Sequence, residues 1–567
     1  MPSTRIRLAD LRLLAVVVRA VGVVLVLTLM RGGDEQATAE GGATASPGTT
    51  ARVSVDSAGN QANSGSSWAS ISADGRYVAF QSGASNLVPG GTNGQGGIFV
   101  HDRKTGETTR VSVDSTGVAG NAKSDEPVIS ADGRYVAFFS QASNLVPADT
   151  NGERDVFVHD RRTGATTRVN VASDGNQADG PTRFGLDINA DGRYIAFSSR
   201  ASNLVPNDTN TCILYPHDPG PCPDVFVHDR KTGETTRVSV DGTDNQGNDA
   251  SYSPSMSADG RYVAFISAAS NLVPGDTNRG LDVFVQDRQT GQTTRVNVDS
   301  AGTQADGDAL WGAGKTIISA DGRYVAFVSQ ASNLVAGDTN GWRDVFVHDR
   351  KAGRTARVSV SSAGTEGDSA SGGPVISSDG RYVAFDSSAT NLAPTDANGH
   401  APDVFIHDLR SGETTLVSVD SAGVQGNDSS ASPAMSSDGR YVAFVSYASN
   451  FVPGDTNVCG PPHNTHNCPD VFVHDRLGRP KVRATPAVVA PSPTVFAPAP
   501  APTVPSSPTP VAAVIEAPPL GSGGGSGNSS ESYGIALIAA AGGGLLAAAG
   551  GWYARRRRRA AGGPTLR

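Results

Sequence analysis

The chain has 567 residues, a formal net charge of −9, 67 Gly and 34 Pro, with 18% charged and 6% aromatic residues. Between residues 51 and 479 there are 33 Lys and Arg against 49 Asp and Glu, a net charge of −16 that excludes a basic nucleic-acid surface. The length could hold several domains, but one repeat claims most of it.

Residues 1–49 read as a signal peptide, or an N-terminal anchor, with a linker. Arg5, Arg7 and Arg12 form a basic leader, and Ala20 to Met30 is an uninterrupted apolar run. Ala37-Thr38-Ala39 and Ala43-Thr44-Ala45 are candidate cleavage sites. Arg31, directly after the apolar run, suits an uncleaved anchor instead. Either way the following domain is expected outside the cytoplasm.

Residues 50–479 are built on a returning heptapeptide. DGRYVAF starts at Asp74, Asp132, Asp259, Asp321, Asp379 and Asp438, and DGRYIAF at Asp191. The steps are 58, 59, 68, 62, 58 and 59 residues, a period that points to propeller blades. In the copy from Pro127 to Val171 the pattern predicts strands at Val128 to Ser130, Tyr135 to Phe139, Asp155 to His159 and Thr167 to Val171. The Asp-Gly dipeptide supplies the turn. The expected fold is all-β: a seven-bladed propeller of four-stranded antiparallel blades. The outer-strand pattern opens at Arg52, Arg110, Arg168, Arg237, Arg295, Arg357 and Leu416. Its first copy precedes every Asp-Gly turn, and the last blade lacks one. The segment Arg52 to Val55 is therefore expected to complete the last blade and close the ring.

Four cysteines lie in two loops between second and third strands. Cys212-Cys222 and Cys459-Cys468 suit disulfides in an exported chain. The rival is zinc, with His463 and His466 beside the second pair and His217 and Asp218 beside the first.

The same connection elsewhere carries Asp-x-Asn-x-x-x-Asp: Asp149, Asn151 and Asp155; Asp276, Asn278 and Asp282; Asp338, Asn340 and Asp344. Asp396, Asn398 and Asp403 form a version one residue longer, and Gly91 and Gly97 replace both carboxylates in the first blade. Clustered carboxylate and amide oxygens suit calcium. The alternative is that they cap their own turns. His101, His159, His228, His348, His407 and His474 share one strand position, with Gln286 at the seventh. Equivalent positions are spread around a ring, so these histidines are expected to make structural hydrogen bonds rather than a catalytic site. Residues that break the repeat are better site candidates: Trp68, Trp311, Trp342, Asp187 and Lys315.

Residues 480–531 are a Pro-, Ala-, Ser- and Gly-rich stalk. Residues 532–554 form a predicted transmembrane helix, and 555–567 a tail opening with five Arg that places the C-terminus in the cytoplasm. That tail also resembles cleaved bacterial sorting tails, without an LPxTG sequence.

The string PVISADGRYVAF…DVFVHDRRTGATTRV resembles the WD-like repeat of TolB-type β-propellers, over all seven copies. The resemblance implies architecture. The TolB partnership with a peptidoglycan-associated lipoprotein is not carried over, because that family has six blades and an extra N-terminal domain. Some relatives carry a hydrolase domain after the propeller, but no G-x-S-x-G elbow occurs here. Two functions follow: a membrane-anchored, cell-surface scaffold binding protein or glycan, without catalytic residues; or an extracellular lyase- or lactonase-type enzyme in the channel, using calcium. No nucleic-acid partner is expected.

Overall fold

The computed structural model describes residues 48–478 except 93, 214–218, 310–315 and 461–465. The predicted leader, stalk, span and tail lie outside the described residues, as do Trp311, Lys315, His217, Asp218 and His463. Among the described residues no helix is long and apolar enough to cross a membrane.

Seven four-stranded antiparallel sheets form the blades. In the second blade the strands are Ser124–Ile129, Tyr135–Ser140, Asp155–Asp160 and Thr166–Arg168. Tyr135 stands opposite Asp160, Phe138 opposite Phe157 and Ser140 opposite Asp155. The Phe138 and Phe157 rings stack at 6.1 Å and are fully buried. The first strands of consecutive blades touch: Ile129 N donates to Ser70 Oγ at 3.1 Å, and Ile318 N to Ser255 Oγ at 3.2 Å. These first strands therefore line the central axis.

The Asp-Gly-Arg-Tyr turn joins the blades. Asp132 Oδ1 accepts from Ser130 Oγ and from Arg134 N, which folds the turn, and Gly133 takes φ 72°. A Cβ on Gly133 would lie 2.1 Å from the Tyr77 ring of the preceding blade. Arg134 grips Asp160 through Nε and Nη2, at 2.9 and 2.7 Å. Tyr77 is covered by two guanidinium groups, its own blade's Arg76 at 4.6 Å and the next blade's Arg161 at 4.4 Å. Backbone bonds then run from turn to turn: Ala73 N to Ala131 O, Ala131 N to Ala190 O, Ala190 N to Ala258 O and Ala258 N to Ala320 O. Ser437 N to Ala73 O carries the chain of bonds from the seventh blade back to the first.

The N-terminal segment closes the ring as expected, three residues earlier than the sequence pattern places it. Thr49–Arg52 pairs with Asp470–Asp475, with Thr50 opposite His474 and Arg52 opposite Phe472. Outer strands end, rather than open, at the Arg position. The reason is visible in the second blade. Val169 N still bonds Val156 O at 2.9 Å, but Val156 N turns to the Asn170 side chain, and the ladder stops. First strands are longer than predicted. Ser124–Ile129 replaces Val128 to Ser130, because a bulge at Glu126 removes the alternation that marks a strand.

Gly133→Ala is expected to destabilise the propeller by about 1–3 kcal/mol through overpacking against Tyr77, with further strain from its positive φ. Gly117→Ala has a similar φ of 90° and nothing within 4 Å, so it bears the strain without the clash. Urea unfolding of the pair separates the two contributions. Equal losses would show that the ring contact is not what the glycine serves.

Candidate functional site

The repeated polar residues are absorbed by the architecture. His159 Nδ1 lies 2.9 Å from Thr166 Oγ1, and that hydroxyl donates its one hydrogen to Val113 O of the preceding blade. The imidazole must then carry its proton on Nδ1. The same arrangement holds for His101, His228, His348 and His407, and His474 makes it with Thr50 across the ring closure. Burial pushes these histidines down, to about 4 at His228 and His474.

The Asp-x-Asn-x-x-x-Asp loops already hold a cation of their own. Arg168 Nη1 sits 3.3 Å from Asp149 and 3.2 Å from Asp155. Arg295 stands likewise between Asp276 and Asp282, both at 3.4 Å, and Arg357 between Asp338 and Asp344, at 3.2 and 3.3 Å. The amides face the wrong way for a metal. Asn151 Nδ2 donates to Asp155 at 3.1 Å while its Oδ1 accepts from Glu153 N. Asn278 and Asn340 do the same with Asp282 and Asp344. These three loops do not fit calcium. In the sixth blade Leu416 replaces the Arg, and Gln425 Nε2 bridges Asp396 at 3.1 Å and Asp403 at 2.6 Å.

Of the two cysteine pairs, Cys459–Cys468 is a disulfide. Cys212 and Cys222 are thiols, which corrects the predicted second bond. The two ribbons share a register, Cys212 opposite Gly220 and Cys459 opposite His466. They differ in a neighbour. Both sulfurs of the first pair and the Asp249 carboxylate lie within 4.8 Å of one another, whereas Ser64 holds the Asp249 position beside the second. A hydrogen bond with Cys212, then burial, with a smaller push from Asp249, raise the Cys222 thiol. The same hydrogen bond lowers the Cys212 thiol.

Asp187 is structural: its Oδ2 accepts from Met256 N of the next blade at 2.7 Å, the contact that Ser70 and Ser255 make elsewhere.

What remains is the channel mouth opposite the Asp-Gly turns. There six of the seven first strands carry a residue in the left-handed region: Trp68 (φ 53°), Glu126 (50°), Gly185 (123°), Ser253 (50°), Gly373 (56°) and Ser432 (55°). Four of these six are not glycine, a strained choice that clusters at functional sites. Sequence reasoning singled out Trp68 alone. The bulges themselves were hidden, because each occupies a polar or small-residue position without a turn signature. Trp68 is 45% exposed. Arg154, stacked 4.1 Å over Phe139, pairs with Asp125 and with Glu126. Asp386 lies against Gly373, and burial pushes its carboxyl up. Trp342 is 50% exposed on a loop between second and third strands, at the same end of the ring.

No family model and no curated protein matches this chain. Solved structures do. The oligogalacturonate lyase from Vibrio parahaemolyticus is 13% identical over 76% of this chain and 90% of its own, with a TM-score of 0.42. The β-propeller domain of the Trilobed protease from Pyrococcus furiosus is 11% identical over 73% and 97%, with a TM-score of 0.43. TolB from Acinetobacter baumannii is 15% identical over 72% and 82%, with a TM-score of 0.32. These likenesses go no further than the propeller fold.

Two outcomes check this assignment of roles. Histidines with lowered folded-state pKa leave the unfolded chain to bind protons first, so they make stability fall as pH drops from about 6.5 towards about 4. His228→Gln, the residue found at Gln286, should flatten that fall by at most about 1.4 kcal/mol per pH unit. Asp224, pushed up to about 7 by burial, acts in the opposite direction in both proteins and cancels in the difference. An unchanged pH profile would remove the structural role. Separately, Arg168→Met should cost about 3–5 kcal/mol by stranding Asp149 and the buried Asp155. A chelator should leave the melting temperature of the Arg168→Met and parent proteins unmoved, and a fall in the parent would show a metal in these loops.

Proposed function

We propose that this chain is an exported, membrane-anchored propeller that serves as a non-catalytic scaffold, binding a protein or glycan at the channel mouth. The observation that carries the reading is the ring of left-handed bulges. Its side chains differ from blade to blade, Trp, Glu, Gly, Ser, Gly and Ser, and include the half-exposed Trp68. The rest of the repeat is spent on internal contacts. An exposed Trp offers a sugar face or a partner side chain a large flat surface at little cost in conformational entropy. The predicted leader and C-terminal span support display outside the membrane, with the C-terminus in the cytoplasm.

The alternative, an enzyme in the channel, draws on Asp386, whose raised carboxyl would suit a general acid. No base or nucleophile beside it is evident among the described residues.

A glycan array probed with the full chain is expected to give hits that Trp68→Ala abolishes. Because Trp68 is half-exposed, its melting temperature should stay within about 1 °C of the parent, as for a neutral surface change. Hits that survive Trp68→Ala would move the site away from the mouth. Turnover of a hit glycan that Asp386→Asn removes would establish the enzyme instead.

A further inference from the structure

The arginine that neutralises each loop has one exception among the blades that keep it. Arg52, Arg168, Arg237, Arg295 and Arg357 each stand within 3.6 Å of two aspartates. In the first blade Arg110 holds that place, but the two aspartates are Gly91 and Gly97. The Gln or Glu that faces the loop elsewhere, as Gln61 and Gln246 do, is Ala119. Three acceptor side chains have gone and the cation has stayed.

Arg110 finds only part of a replacement. Its Nη1 donates to Gly91 O at 2.9 Å and its Nε to Ser112 Oγ at 3.2 Å. Its Nη2 is buried and makes no hydrogen bond. The guanidinium fills the place vacated at Gly97, where a Cβ would lie 3.1 Å from its Nε and 3.2 Å from its Nη2. Beside it opens a cavity of about 300 Å³, walled by Val88, Pro89, Val113 and Ala119 with Gly90 and Gly91. A guanidinium keeps its charge even when burial pushes its pKa down, as it does here. A largely buried charge without a counter-ion is costly, and no described residue supplies one.

We propose that this cavity binds a carboxylate from outside the chain, which takes the place of the absent aspartates on Arg110. The missing groups define the ligand. An aspartate side chain is a carboxylate on a short carbon stem, and the planar guanidinium edge matches a carboxylate in a two-bonded fork. The apolar walls favour a small hydrocarbon body behind it. The carboxylate of a short organic acid and that of a peptide side chain or C-terminus share this chemistry. The site is separate from the channel mouth, and its failure would leave the Trp68 reading untouched.

The test is thermal unfolding and calorimetric titration of the full chain with propionate, a peptide with a free C-terminal carboxylate, its amidated form, and inorganic phosphate. Propionate should raise the melting temperature in a concentration-dependent way. Arg110→Met should weaken propionate by at least about tenfold without lowering the melting temperature in its absence, unlike Arg168→Met. Gly97→Asp should restore an internal partner, raise the melting temperature and abolish the propionate response. Trp68→Ala should respond as the parent does. A free-carboxylate peptide that binds while its amide does not assigns a peptide source, and propionate binding alone assigns a small acid. The proposal is overturned if propionate acts equally on the parent and Arg110→Met, if phosphate acts as strongly as propionate, or if propionate does nothing.

Discussion

The structure depends on a tyrosine pressed onto a glycine. Each Asp-Gly-Arg-Tyr turn presents a residue without a Cβ to the tyrosine ring of the blade before it. In six of the seven positions two arginines then clamp that ring from adjacent blades. The exception, Tyr324, has Arg323 on one side and packs beside Leu409, which stands where Arg would be. Because the contact crosses a blade boundary, no blade completes its own packing. A four-stranded sheet with both faces apolar is unstable alone, and the ring is the smallest arrangement in which every tyrosine finds its glycine. Turn-to-turn backbone bonds and the Thr49–Arg52 strand tie this belt shut at the same seam, between the seventh and first blades.

The belt explains why so many charged residues carry no chemistry. Arg134 and Asp160 orient each other over Tyr135. Arg168 serves Asp149 and Asp155 from the other end of the sheet. His159 and Thr166 fasten the outer strand to the previous blade. Each group is repeated because each blade boundary needs one. Net charge −16 is thus largely internal wiring plus a solvated acidic surface, and a conspicuous motif here is evidence of mechanical use.

The architecture was legible in the sequence because the belt is made of local signals. Asp132-Gly133 is a turn on any reading, and Tyr135 to Phe139 is a strand by its β-branched and aromatic content. Counting outer strands against turns was enough to foresee the closure by the N-terminus. Less was legible where a side chain replaces backbone. Nothing in Arg168-Val169-Asn170 shows that Asn170 will take the Val156 amide and end the strand. Nothing in Asp149-Thr150-Asn151 shows whether a metal or an arginine nineteen residues on will neutralise it. Cys212 and Cys222 have the spacing of a bonded pair, and only the fold brings Asp249 beside them. The bulge at Trp68 was invisible for the same reason: positive φ is set by packing against the next blade, not by the residue.

A repeat protein gives its own control experiment. A residue type found in every blade must be explained by what every boundary shares, and a function confined to one place must come from a departure. Departures in turn divide by whether they are compensated. Gln286 for His and Leu409 for Arg substitute one packing partner for another, and the neighbouring tyrosine or threonine keeps its place. Leu416 removes a cation, and Gln425 keeps the bridge between the two carboxylates that Gln61, Gln246 and Gln304 make elsewhere. At Arg110 the substitutions run the other way: acceptors are removed, the charge is retained, and among the described residues it meets only the Ser112 hydroxyl and the Gly91 carbonyl, with Nη2 left unbonded. Leu416 shows that this position does not require a cation, so nothing in the repeat itself obliges the stranded guanidinium of Arg110 to stay. Its retention beside a cavity is therefore better explained by what enters the cavity than by what surrounds it.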